Sequence, residues 1–166
     1  MEFTTIKEYF YKLQTALFLM LLFQLIIFIA LYSNTDQGRI EQEQTAVIIS
    51  FLLFLMVLDV TIGIVLFRFK LRNIRALPSL RSRLQQYYSL TIVRSYVNVV
   101  AGAMPALAFF LTADTHLVFV FGCVLIFFFL QWPGPAKACR DLHLKGDERE
   151  MVRYKKDDLG FSRNLK

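Results

Sequence analysis

The chain has 166 residues, a formal net charge of +6 and a hydrophobic fraction of 56%. Only 19% of its residues are charged, and they are set apart from the apolar blocks, whereas a soluble domain carries about 25% charged residues. Composition therefore excludes an ordinary soluble domain and points to an integral membrane protein.

Four apolar blocks are predicted to form helices at about 13–32, 46–67, 87–111 and 116–132. Each is near the roughly 20 residues that cross the hydrocarbon of a bilayer. A chain in lipid must satisfy its backbone internally, so such blocks are helical. The short alternating strands of a β-barrel are not visible.

In chain order, Lys7 and Lys12 precede the first block, Leu13–Tyr32, which carries Gln24 in its middle. No small-x-small site follows IALYSN, so the block is expected to persist as an anchor rather than be cleaved. The polar, slightly acidic loop SNTDQGRIEQEQT reads as an external connection.

The second block, Ala46–Phe67, holds Asp59 nine residues inside Arg68, about 13 Å deep at 1.5 Å per residue. An ionised carboxylate there costs several kcal/mol unless it is paired, protonated or wet. Gly63 follows it by one turn.

After Phe67 the sequence reads RFKLRNIRALPSLRSRLQQYY. Leu71, Ile74 and Leu77 recur at helical spacing, with Arg68, Arg72 and Arg75 on another face. Helix two is therefore expected to run on to about Ala76, to break at Pro78, and to be followed by a helix capped by Ser79. This 68–86 hairpin carries Arg68, Lys70, Arg72, Arg75, Arg81 and Arg83. It serves either plain positive-inside topology or docking to a partner or anionic lipid.

The third block, Tyr87–Leu111, enters the bilayer at Tyr87 and Tyr88 and carries Arg94 eight residues inside Gln86, about 12 Å deep. Adjacent antiparallel helices would let Asp59 and Arg94 meet as an ion pair. The alternatives are a snorkelling Arg94 with a protonated Asp59, or Asp59 as a proton or cation site. Asn98, Gly102 and Ala106 follow Arg94 at steps of four, a polar-then-small stripe suited to close helix packing, as is Gly63 on helix two. Gln24 could join this network. Pro105 could kink the helix.

The four-residue turn TADT makes helices three and four antiparallel neighbours. The fourth block, His116–Trp132, is apolar all round, and Pro133, Gly134 and Pro135 stop it. In the tail, AKACRDLHL suggests one short helix and Asp147 with Glu150 a second. Residues 1–135 then form the membrane domain and 136–166 a basic cytoplasmic tail.

The Lys and Arg distribution sets the orientation. With Arg94 set aside, seventeen fall on one side of the four blocks, and only Arg39 falls on the other. Both termini are expected in the cytoplasm. The expected fold is thus all-α: a polytopic four-helix bundle running up-down-up-down. The same charge bias is better explained by an anionic leaflet than by nucleic acid. Cys123 and Cys139 are not a disulfide pair and suggest no metal site, and His116 and His143 cannot face each other to hold haem. No phosphate-binding glycine loop, HExxH or GxSxG occurs, and no cofactor is expected.

Residues 84–152, with LQQYYSLTIVRSYV, a small-residue helix, a tight turn and FFFLQWPGPAKACRDLHLKGDEREMV, resemble a group of small four-helix bacterial inner-membrane proteins. That resemblance implies an inner-membrane location and transfers no catalytic residue. The four-helix proteolipids of rotary ATPases share the helix count, but this chain has only seven Gly and no carboxylate in its fourth block. The functional expectation is a non-enzymatic scaffold or accessory subunit, with a protein partner or a second copy of itself. A small oligomeric transporter centred on Asp59 is the alternative. An enzyme acting on lipid would have only Tyr87, Tyr88 and Thr91 to use.

Overall fold

The structure, a computed structural model, describes residues 5–35 and 42–154. The middle of the expected external loop, with Arg39, and the tail beyond Tyr154 lie outside the described residues. Among the described residues there are six helices and no strand. They are α1 (Ile6–Ser33), α2 (Gln42–Arg75), α3 (Leu80–Thr112), α4 (His116–Leu130), α5 (Pro135–Asp141) and α6 (Gly146–Tyr154).

α1, α2 and α3 are long and apolar enough to cross a membrane, and the bent pair α4–α5 becomes a fourth candidate only if it counts as one broken span. The fourth block is shorter than expected. α4 has 15 residues, about 22 Å at 1.5 Å per residue, against roughly 30 Å of hydrocarbon. Its last turn closes on Gln131, whose N–H reaches the carbonyls of Phe127 and Phe128. Pro133 and Pro135 cannot donate to a continuing ladder, and the chain turns by 78° into α5.

The other ends have local causes. α1 begins seven residues before the apolar block, because Thr5 Oγ1 accepts the Glu8 N–H at 3.1 Å and Glu8 pairs with Lys12 one turn on. α2 runs to Arg75, and Ser79 Oγ then accepts the Ser82 N–H at 3.2 Å to start α3. α3 continues through the buried Pro105. It closes on Ala113 in the left-handed region (φ 56°), whose N–H meets the Phe109 carbonyl at 2.7 Å.

The chain divides into two compact units. The first takes the described residues within 1–17, 66–93 and 133–166. Its core contains Ile6, Tyr9 and Leu13 from α1, Leu71 and Ile74 from α2, and Leu84 and Tyr87 from α3. Leu142, Leu144 and Val152 are buried in the same unit, so the tail helices and the hairpin belong to one compact unit.

The second unit takes the described residues within 18–65 and 94–132. Phe28 of α1 stacks on Phe121 of α4, with ring centroids 4.0 Å apart, and Tyr32 stacks on Phe109 of α3 at 5.3 Å. Ala108, Phe109 and Leu117 form a cluster against which Ile49, Leu52 and Leu53 of α2 pack. Of the most apolar stretches, that of α3 is 44% buried, that of α1 17% and that of α2 6%. α3 is thus the inner helix, and α2 turns Phe51, Phe54, Val57 and Ile62 outward. In water so large an apolar face would be a liability; in lipid it is the ordinary surface of a span.

Candidate functional site

Two groups of polar residues stand out, one in each unit. The second unit holds Gln24, Asp59, Arg94 and Asn98. Gln24 is 3% exposed, and neither its Oε1 nor its Nε2 has a hydrogen-bond partner among the described residues. Its amide lies on Gly102: a Cβ built there would come within van der Waals overlap of Gln24 Nε2. α1 and α3 can approach this closely only because position 102 has no side chain. Ala106, one turn on, is 1% exposed.

Gly63 plays the same part between α2 and α3, where a Cβ would lie 2.7 Å from Val97 Cγ1. This contact sets the register of the two helices. With antiparallel neighbours abutting at Gly63 and Val97, Asp59 is level with Ala101. Arg94 lies seven residues away along α3, about 10 Å at 1.5 Å per residue. No Asp59–Arg94 bond occurs among the described residues. Asp59 Oδ2 is buried and has no hydrogen-bond partner among them, and Arg94 is not free of interactions. Equal depth below the interface does not guarantee equal register.

Asn98, 5% exposed, donates from Nδ2 to Gln131 Oε1 at 2.9 Å. This bond ties α3 to the C-terminal end of α4. Sequence reading placed Asn98 beside Arg94 and Gln24 but gave Gln131 no role. The available signal was the mirror spacing of 98 and 131 about the short turn at 113–115.

The first unit holds the basic hairpin. Its cations do not all face solvent. Arg83 Nε donates to the Leu77 carbonyl at 2.8 Å and its Nη1 to Glu148 Oε2 of α6 at 3.0 Å. Arg75 Nε donates to the Asp141 carbonyl at the end of α5 at 2.7 Å. Tyr87, 1% exposed, donates its hydroxyl to Asp141 Oδ2 at 2.9 Å. Arg75 and Arg83, expected as ligands for an outside partner, are therefore engaged within the chain, where they fasten the tail. Arg81 also makes interactions within the chain. Arg68, Lys70 and Arg72 are exposed. Beside Lys70, a polar groove of about 650 Å³ is lined by Asn73, Ser82, Gln85, Gln86 and Ser89.

Two of the three residues that an enzyme reading would use, Tyr87 and Thr91, make bonds within the chain. Thr91 Oγ1 donates to the Tyr87 carbonyl at 2.8 Å, and Tyr87 holds Asp141. No group of three or more His, Cys, Asp and Glu residues that could hold a metal ion occurs among the described residues.

No protein-family model, curated protein or solved structure matches this chain. Its functional reading rests on its own geometry.

Proposed function

We propose that the chain is a non-enzymatic scaffold or accessory subunit of a larger complex in the bacterial inner membrane. In this reading it crosses the bilayer four times, with both termini in the cytoplasm. The positive-inside bias supports the orientation. One observation carries the functional part. The hairpin is not a loose topogenic loop: Arg75, Arg83 and Tyr87 fasten α5 and α6 to it. The free ends of Arg68, Lys70 and Arg72 are thereby presented from an ordered surface, and a preorganised surface binds at lower entropic cost.

Native mass spectrometry of the complex, extracted gently from its own membrane, tests this. Release with other proteins at fixed stoichiometry supports the subunit reading and names the partners. Release alone, or only as a homo-oligomer, refutes it.

A second reading, a small oligomeric transporter, is favoured by the buried and partnerless Asp59 Oδ2 and Gln24 amide. A polar group left unmatched in hydrocarbon is costly, and a transported cation or proton would match it. On this reading Asp59→Asn abolishes flux in vesicles while leaving the fold intact. A variant with unchanged fold and unchanged flux removes the reading.

A further inference from the structure

We propose that the cleft between α5 and α6 is a binding site for a phosphate monoester group. The inference is independent of the subunit reading: it concerns the tail alone and stands whether or not the chain has protein partners.

The cleft has a volume of about 560 Å³ and is lined by Arg140 from α5, Lys145 from the connection and Arg149 and Arg153 from α6, with His143 and Cys139 at its wall. No acidic side chain lines it among the described residues. Arg149 and Arg153 are four apart on α6, so they share one face, and Lys145 lines the same cleft just before the helix. Like charges at that spacing repel by a few tenths of a kcal/mol per pair, and a bound anion relieves the repulsion.

Two acids of the same segment are held elsewhere, and the other two, Asp147 and Glu150, do not line the cleft. Glu148 is engaged by Arg83, and Asp141 Oδ2 by Tyr87. The concentration of positive charge in the cleft is therefore a product of the fold as well as of composition.

The cleft is built rather than incidental. His143 takes a left-handed conformation (φ 54°), and the Leu144 N–H returns to the Cys139 carbonyl at 3.0 Å, closing α5 in a Schellman turn. Gly146, also left-handed (φ 51°), then starts α6. Leu142, Leu144 and Val152, each 5% exposed or less, pin the pair.

The ligand class follows from shape and charge. The volume suits one small ligand rather than a polymer. Guanidinium forks match the oxygens of a phosphate in bidentate fashion, and four cations suit a dianion better than a carboxylate. Such a group could come from an anionic lipid headgroup or from a free phosphorylated compound.

The test uses the full chain in phosphatidylcholine nanodiscs. One arm titrates inorganic phosphate and follows its phosphorus resonance. The other measures retention of phosphatidic acid against phosphatidylcholine by native mass spectrometry. Saturable binding is expected in at least one arm. It should weaken about tenfold for Arg149→Gln and further for Arg149→Gln with Arg153→Gln, be largely kept by Arg149→Lys, and be unchanged by Lys7→Gln, an exposed cation outside the cleft. Dependence on these residues in the phosphate arm alone assigns a free ligand; dependence in the lipid arm assigns a headgroup. Hydrogen exchange over 144–152 reports whether each variant keeps α6. If the double variant loses that protection, Arg149→Gln alone and Lys145→Gln decide by the same criterion. Saturation in neither arm overturns the proposal. So does a glutamine variant that keeps its protection and binds like the wild type.

Discussion

At the scale of single residues, the tightest constraint is the seat of Gln24 on Gly102. Gly102→Ala places a methyl group where the amide lies, and Gln24 is too enclosed to move freely. Overpacking of this kind costs about 1–3 kcal/mol. Gln24→Ala in the same background removes the clash, so the pair should couple, with the double variant more stable than Gly102→Ala alone. Thermal melting of the four chains in one detergent measures this, and additive losses refute the seat. Gln24 and Gly102 could each be singled out in sequence, one as a polar residue in an apolar run and the other as part of a small-residue stripe. Their meeting could not, because helix rotation is set by packing across chain segments. A second residue-scale prediction concerns Cys139. Burial raises its thiol above the ordinary range, and nearby Arg149 and Arg153 offset only part of that rise. The folded chain therefore favours the protonated thiol. Its contribution to stability is complete below the ordinary thiol range and is lost as pH rises through the raised value. Maleimide should label Cys139 more slowly in the native chain than in the unfolded chain at equal pH, and equal rates would contradict this.

At the scale of elements, helices end where local chemistry stops them, and most of those stops are readable. Pro78 with Ser79, and Pro133 with Pro135, ended α2 and α4 close to where their residue types demand. The start of α1 is not legible in hydropathy, because Thr5 and Glu8 lie outside the apolar block, although their spacing is that of a capping box. The tail helices could be anticipated as short helices, but their attachment could not. The hairpin arginines read equally well as topogenic, as docking residues or as internal clamps, and only the fold assigns Arg83 to Glu148 and Leu77. Arg83→Ala removes both bonds. The Glu148 pair is half exposed, so its share is small, and the carbonyl of Leu77 loses a charged donor worth about 1.5–3 kcal/mol when well shielded. A total cost of about 1–2 kcal/mol is expected, concentrated in α6. Amide exchange in 146–154 should accelerate while that in 98–110 stays unchanged. Uniform acceleration would mean that the clamp does not act locally.

At the scale of the whole molecule, composition alone identifies apolar helices, because lipid imposes one backbone solution on every span. The number of crossings is less legible, because it rests on α4. A 15-residue helix is short for the bilayer, and the question is whether the α4–α5 bend completes a span. The charge pattern supplies the argument. The 112–115 connection carries no Lys or Arg, whereas the chain from Pro133 onward carries nine. A basic segment of that kind resists translocation. If α4 crosses, a reporter fused at the C-terminus and one inserted between Ser79 and Leu80 fall on the same, cytoplasmic side, and one placed at 113–114 falls outside. If α4 does not cross, the C-terminal reporter joins the one at 113–114. The four-span reading predicts the first pattern. It also predicts a response to charge: neutralising Arg68, Lys70 and Arg72 while adding two Lys to the 112–115 turn should produce a fraction of chains with their C-terminal reporter outside. Retention of the original pattern under that change would place control of orientation in the remaining cations, the nine of the tail together with Lys7, Lys12, Arg75, Arg81 and Arg83.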